Sequence, residues 1–171
     1  DEAYFEFARN QEDYPDSMTY RYDNVITLRT FSKAYGLSGV RVGYGFGHED
    51  LMSNLNKAKL PFEPNLIAQL GAVGALEDVP HLERTLLNNT IQYVRTFEFL
   101  KKHGFSPVAS VTNFITVPMG SSEASDLLYN LLLNEGVIIR PLKANEMPDY
   151  VRVSLGTHAE MDHFFEAMEK I

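Results

Sequence analysis

Residues 25–46 constrain the fold more than any other stretch. Val25-Ile26-Thr27-Leu28-Arg29-Thr30-Phe31 is a nearly continuous run of β-formers and apolar residues. Such a run reads as a buried strand, in a sheet covered on both faces. Lys33 follows it, and Gly36 and Gly39 separate it from the next element. Residues 40–46 then alternate, with Val40, Val42, Tyr44 and Phe46 on one face and Arg41, Gly43 and Gly45 on the other. This order puts an amine at the tip of one strand and a guanidinium in the next. The two glycines leave room beside Arg41 for a ligand or another backbone; a tight bend or bulge is the plainer reading.

Upstream, residues 1–7 read as a strand end running into a loop, and Tyr14-Pro15-Asp16 marks a turn. Downstream, residues 49–59 read as a short helix, and Pro64-Asn65 opens another. Asp78 is placed to cap a long helix in which Leu82, Leu86, Ile91, Val94, Phe97 and Leu100 recur at three-to-five spacing, with Gly104 as its stop. The remainder reads as a compact α+β lobe. Strands are expected at 113–117, 137–140 and 151–155, with Arg152 and Ser154 facing away from Val151, Val153 and Leu155. A helix is expected at 123–134, and Thr157-His158-Ala159-Glu160 is a capping box opening the last one.

The chain has 171 residues, room for one sizeable domain or two small ones, and a net charge of −8. An acidic chain repels phosphate backbones, so nucleic acid is not an expected partner. Cysteine is absent, which excludes disulfides and thiolate chemistry and is compatible with a cytoplasmic location. No apolar run reaches membrane-span length. The histidines lack metal-ligand spacing, so no metal is expected. The glycines form neither a G-x-G-x-x-G loop nor a G-x-S-x-G elbow. The chain opens on Asp1 rather than methionine, at what reads as a strand end, and a fragment is expected.

Lysine condenses with carbonyls to form a Schiff base, and a neighbouring cation helps keep it nucleophilic. Ser32 and Arg41 around Lys33 suit a phosphate-bearing aldehyde, with the phosphate on Ser32 and Arg41 and the carbonyl carbon on Lys33. A lysine at a strand tip is, taken alone, more often a solvated cation. The joint pattern is more specific. Ser-Lys-x-x-Gly-Leu-x-Gly-x-Arg-x-Gly-Tyr over residues 32–44, with Asp1-Glu2-Ala3-Tyr4 upstream, resembles the signature of the fold-type I class I/II aminotransferases, which depend on pyridoxal 5′-phosphate. The resemblance implies that Asp1 pairs with the cofactor's ring nitrogen, that Tyr4 donates to its phenolic oxygen, and that Lys33 forms the covalent link and then serves as general base. It also implies that Arg152 binds the anionic end of the substrate.

Within that superfamily the likeness is strongest to the histidinol-phosphate aminotransferases. It rests on Lys59-Leu60-Pro61-Phe62, on Ser110-Val111-Thr112-Asn113-Phe114, and on Gly136-Val137-Ile138-Ile139-Arg140-Pro141 with Arg152 following. It implies that Arg140 joins Arg152 on a substrate phosphate; a surface ion pair is the alternative for Arg140. The implied fold is α/β: residues 1–76 as the end of the large, mostly parallel-sheet domain, 77–103 as a connecting helix, and 104–171 as a small α+β domain. The implied function is amino transfer from L-histidinol phosphate to 2-oxoglutarate in histidine biosynthesis, by a homodimer. The resemblance covers about the second half of a family member. Another pyridoxal-phosphate enzyme (an aromatic or aspartate-type aminotransferase, or a phosphothreonine-type decarboxylase) and an inactive fragment are the alternatives.

Overall fold

The computed structural model describes residues 1–20 and 22–171. The chain divides into two compact units, residues 1–86 and 87–171. The division falls inside an unbroken helix rather than in a linker.

In the first unit the opening residues do not continue as a strand. Glu2 N donates to Leu28 O (2.8 Å), the chain turns, and a one-turn helix α1 (Phe5–Ala8) follows. Strand β1 (Ile26–Thr30) pairs antiparallel with β2 (Gly43–Gly47), with Leu28 opposite Gly45 and Arg29 opposite Tyr44. Leu28 is 50% exposed, so the both-face burial predicted for this run is not met within the chain. The run itself is compatible with central and edge strands alike, because periodicity says nothing about which neighbours cover it. The second strand also starts later than its alternation suggests. Residues 38–40 form a 3₁₀ turn, and Arg41 adopts a left-handed conformation at φ 57° rather than lying in the strand. The space at Gly43 belongs to β1: a Cβ there would sit 2.8 Å from Arg29 O. The approaching partner is therefore a backbone, not a ligand.

Helix α2 (Glu49–Ala58) and helix α3 (Leu66–Glu77) follow, the latter capped by Asn65 Oδ1 accepting from Ala68 N. Only Ala68 of α3 is buried, whereas Leu66, Ile67, Leu70, Val73 and Leu76 are all more than half exposed. Helix α4 (Val79–Lys102) begins with Asp78 Oδ1 accepting from His81 N and ends before Gly104, at φ 84°. Its expected inward stripe is only partly observed. Leu82 and Leu100 are buried, but so are Gln92 and Thr96, while Ile91 and Val94 face outward.

The second unit is a three-stranded antiparallel sheet in the order β3 (Phe114–Pro118), β5 (Tyr150–Ser154), β4 (Arg140–Pro141). Ile115, Val117, Val151 and Val153 point from it into a core shared with Leu100, with Leu132 of α5 (Ser122–Asn134) and with Met161, Phe164 and Met168 of α6 (His158–Lys170). The capping box at Thr157 and Glu160 is formed as predicted. The strand expected at 137–140 is reduced to two residues. Val137 N instead donates to Leu132 O, closing the turn after α5, with Gly136 left-handed.

Candidate active site

Lys33 lies three residues beyond β1, with its side chain exposed. Its Nζ lies 5.4 Å from the centroid of the Tyr4 ring, so the amine and the phenol are neighbours although far apart in sequence. Asp1 opens the same segment, and its Oδ1 accepts from Ala3 N (3.0 Å). Ser32 N donates to Thr30 Oγ1 (3.0 Å), which fixes the turn leaving β1. Arg41 is exposed and donates from Nη1 to Ser38 O (2.8 Å), folding its guanidinium back over the glycine turn.

The segment carrying Asp1 and Tyr4 is held by a cluster that the sequence did not single out. Glu2 takes Ser17 N on one carboxylate oxygen and Arg29 Nε on the other, both at 2.9 Å. Arg29 Nη2 donates to Asp16 Oδ1 at 2.8 Å, and the guanidinium lies 3.3 Å from the centroid of the Phe5 ring. Burial pushes the Glu2 carboxyl upward, but hydrogen bonds from Ser17 and Arg29 outweigh it and hold Glu2 below the ordinary glutamate value. Glu6 is different. It is 3% exposed, its Oε2 has no hydrogen-bond partner among the described residues, and burial raises its pKa. Tyr35 and Tyr44 are raised as well, by burial first and then by the nearby Glu6 charge.

In the second unit the antiparallel register places Thr116, Arg152 and Arg140 in one row across β3, β5 and β4. Directly opposed residues share a face, with Cβ atoms about 5 Å apart. The two arginines are therefore neighbours on the face turned away from the core. Like charges so placed repel, yet neither arginine has a carboxylate partner among the described residues. The surface ion pair considered for Arg140 is accordingly not seen there. Arg152 is positioned by Phe114, whose ring centroid lies 4.9 Å from Cζ, and its buried Nε lacks a hydrogen-bond partner among the described residues. A pair of unneutralised guanidinium forks is suited to an anion with several oxygens, such as a phosphate.

The chain belongs to the aminotransferase class I and II family, whose model matches residues 1–168. Among its relatives, histidinol-phosphate aminotransferase 2 of Haemophilus influenzae is 38% identical over 172 residues, covering 100% of this chain and 46% of the relative. The enzyme of the same name in Methylococcus capsulatus is 39% identical, again with 46% of its length covered. The crystal structure of histidinol-phosphate aminotransferase from Sinorhizobium meliloti in complex with pyridoxal-5′-phosphate superposes with a TM-score of 0.90 at 30% identity, over 99% of this chain and 46% of that one. The fold is thus that of the fold-type I aminotransferases, and the chain spans about half the length of the curated relatives it matches.

Proposed function

We propose that the whole protein is a pyridoxal-phosphate-dependent aminotransferase that moves an amino group from L-histidinol phosphate to 2-oxoglutarate in histidine biosynthesis. The residues fit that cofactor. An exposed amine stands beside a tyrosine ring, Asp1 opens the same segment, and a hydroxyl and a guanidinium flank the amine in sequence. Lys33 would capture the cofactor's aldehyde carbon. Asp1 would stabilise a proton on the ring nitrogen and Tyr4 would donate to the phenolic oxygen, while Ser32 and Arg41 would take the phosphate. When bound, the cofactor supplies an electron-withdrawing ring. Lys33, once freed by substrate, would take and return the proton at the substrate's α-carbon.

The observation that carries the choice of substrate is the Arg140–Arg152 row, two adjacent cations without neutralising carboxylates among the described residues. A carboxylate is served by one fork, whereas a phosphate dianion can be shared by two. We assign residues 1–76 to the large cofactor domain, 77–103 to the connecting helix and 104–171 to the small domain. A homodimer is supported by α3, which carries apolar side chains around its exposed faces, as helices do when another surface covers them. A cytoplasmic location agrees with the absence of cysteine and of any helix among the described residues long and apolar enough to cross a membrane.

The test is to supply the purified whole protein with histidinol phosphate and 2-oxoglutarate and to follow glutamate. Parallel reactions with aromatic amino acids, aspartate and a phosphorylated amino acid should be slower, with no carbon dioxide released from the last. Faster transfer from an amino acid lacking phosphate, or decarboxylation, would contradict the assignment.

A further inference from the structure

Arg29 holds the two residues that stand next to the proposed ring ligands. Glu2 follows Asp1 and gives its carboxylate to Arg29 Nε, while Phe5 follows Tyr4 and lays its ring on the same guanidinium. The third direction of the fork is taken by Asp16, and Glu2's second oxygen by Ser17 N. Arg29 sits on β1, four residues before Lys33, so one side chain ties the ring-binding segment to the strand that delivers the amine. The Glu2 and Arg29 side chains are only 9% and 11% exposed. A buried ion pair is a weak source of net stability, because desolvation offsets its attraction, but it fixes geometry strictly. A point-like ammonium could not make all three contacts.

We propose that Arg29, through Glu2 and Phe5, is a positioning residue that sets Asp1 and Tyr4 relative to Lys33 and thereby governs cofactor affinity. The inference rests on the cofactor reading above. Glu2 and Arg29 act through the segment they anchor and need not touch the cofactor.

The experiment measures the dissociation constant of pyridoxal phosphate for the whole protein by fluorescence, together with amide hydrogen exchange of the cofactor-free form. Arg29→Lys keeps the charge and loses the fork; Glu2→Gln keeps the shape and loses the charge. Each should weaken cofactor binding by about tenfold, the usual scale for supports of a ligand shell. Each should also speed exchange at the amides of Ala3, Tyr4 and Phe5 while leaving β1 protected. Leu82→Ala, which removes a buried side chain remote from this segment in sequence, should lower the melting temperature without changing the dissociation constant. If Arg29→Lys does not fold, Glu2→Gln carries the test. Unchanged affinity in the variants, or an equal loss in Leu82→Ala, would overturn the positioning role and leave the cofactor reading standing. Folded wild-type protein that binds no pyridoxal phosphate would overturn both.

Discussion

The two compact units handle apolar surface differently. Residues 87–171 close a core from their own side chains, with eleven buried apolar residues contributed by the three-stranded sheet, the helices around it and Ile139 just before β4. The described part of residues 1–86 gathers a cluster of three, Phe31, Val42 and Ala68, and leaves Leu28, Leu60, Phe62 and most of α3 in the open. Burial is worth about 25 cal/mol per Å² of apolar surface, so the second unit carries its own driving force and the first carries much less. The proposed division of labour follows the same line. The self-contained unit presents two arginines in one row on a sheet face. The open unit holds Lys33 on a turn, near a segment that a polar cluster rather than a deep core steadies.

The largest effect belongs to the open unit. Lys33→Ala in the whole protein should reduce amino transfer by about a thousandfold or more, read as kcat, with little change in melting temperature because the side chain is exposed. A substantial loss of stability would mean that Lys33 is structural. In the closed unit, Leu132→Ala removes a fully buried side chain and should lower unfolding free energy by about 3 kcal/mol in a urea titration. A loss below 1 kcal/mol, on the order of a surface change, would break the contrast between the units.

Arg152→Lys tests what the closed unit presents. It should lower kcat/KM for the phosphorylated donor by about 2 kcal/mol, roughly thirtyfold, since an ammonium cannot reproduce the fork. Arg140→Gln should weaken the same substrate while slightly raising the melting temperature, by relieving the repulsion across the row. A fall in both would point to a structural role.

Glu6 gives the pH signature of the open unit. Its folded-state pKa is raised by burial, so ionisation opposes folding as pH rises through that value, and protonation below the unfolded value removes the penalty. Glu6→Gln should therefore stabilise the chain by about 1 kcal/mol at pH 8 and have no stabilising effect near pH 4. Glu2 has the opposite sign. Its lowered pKa supplies stability above the unfolded value that is lost as pH falls through the folded one, so Glu2→Gln should destabilise at pH 8 and converge with wild type in acid. The smallest effect is at Ile67, 73% exposed on α3. Ile67→Ser should change the stability of this chain by less than about 0.5 kcal/mol, yet weaken the proposed dimer of the whole protein in sedimentation.

The lysine, glycine turn and acidic segment were legible in sequence because each rests on residue type and local order. The capping box at Thr157 and the stop at Gly104 were legible for the same reason. The facing of α4 was not. Gln92 and Thr96 turn inward where a stripe of Ile91 and Val94 was expected. The contacts made on that side are polar: Asn88 donates to Gly156 O (2.9 Å), and Arg95, partly exposed, bridges Gln92, His158 and Asp162. The pairing of Arg140 with Arg152 was proposed from likeness, but their shared row follows from a strand order and a two-residue strand that no local pattern reveals. Arg29 was hidden within an apolar run and read as strand, since nothing local marks a guanidinium that will meet Glu2, Phe5 and Asp16 only after folding.

Lys33 is the residue proposed to link to the cofactor. Incubating the whole protein with pyridoxal phosphate, reducing with borohydride and mapping the modified peptide by mass spectrometry tests it directly. A single stoichiometric adduct on Lys33, absent from Lys33→Ala, is the predicted result. A folded protein that gains no adduct, or gains it on Lys57 or Lys59 instead, would contradict the account.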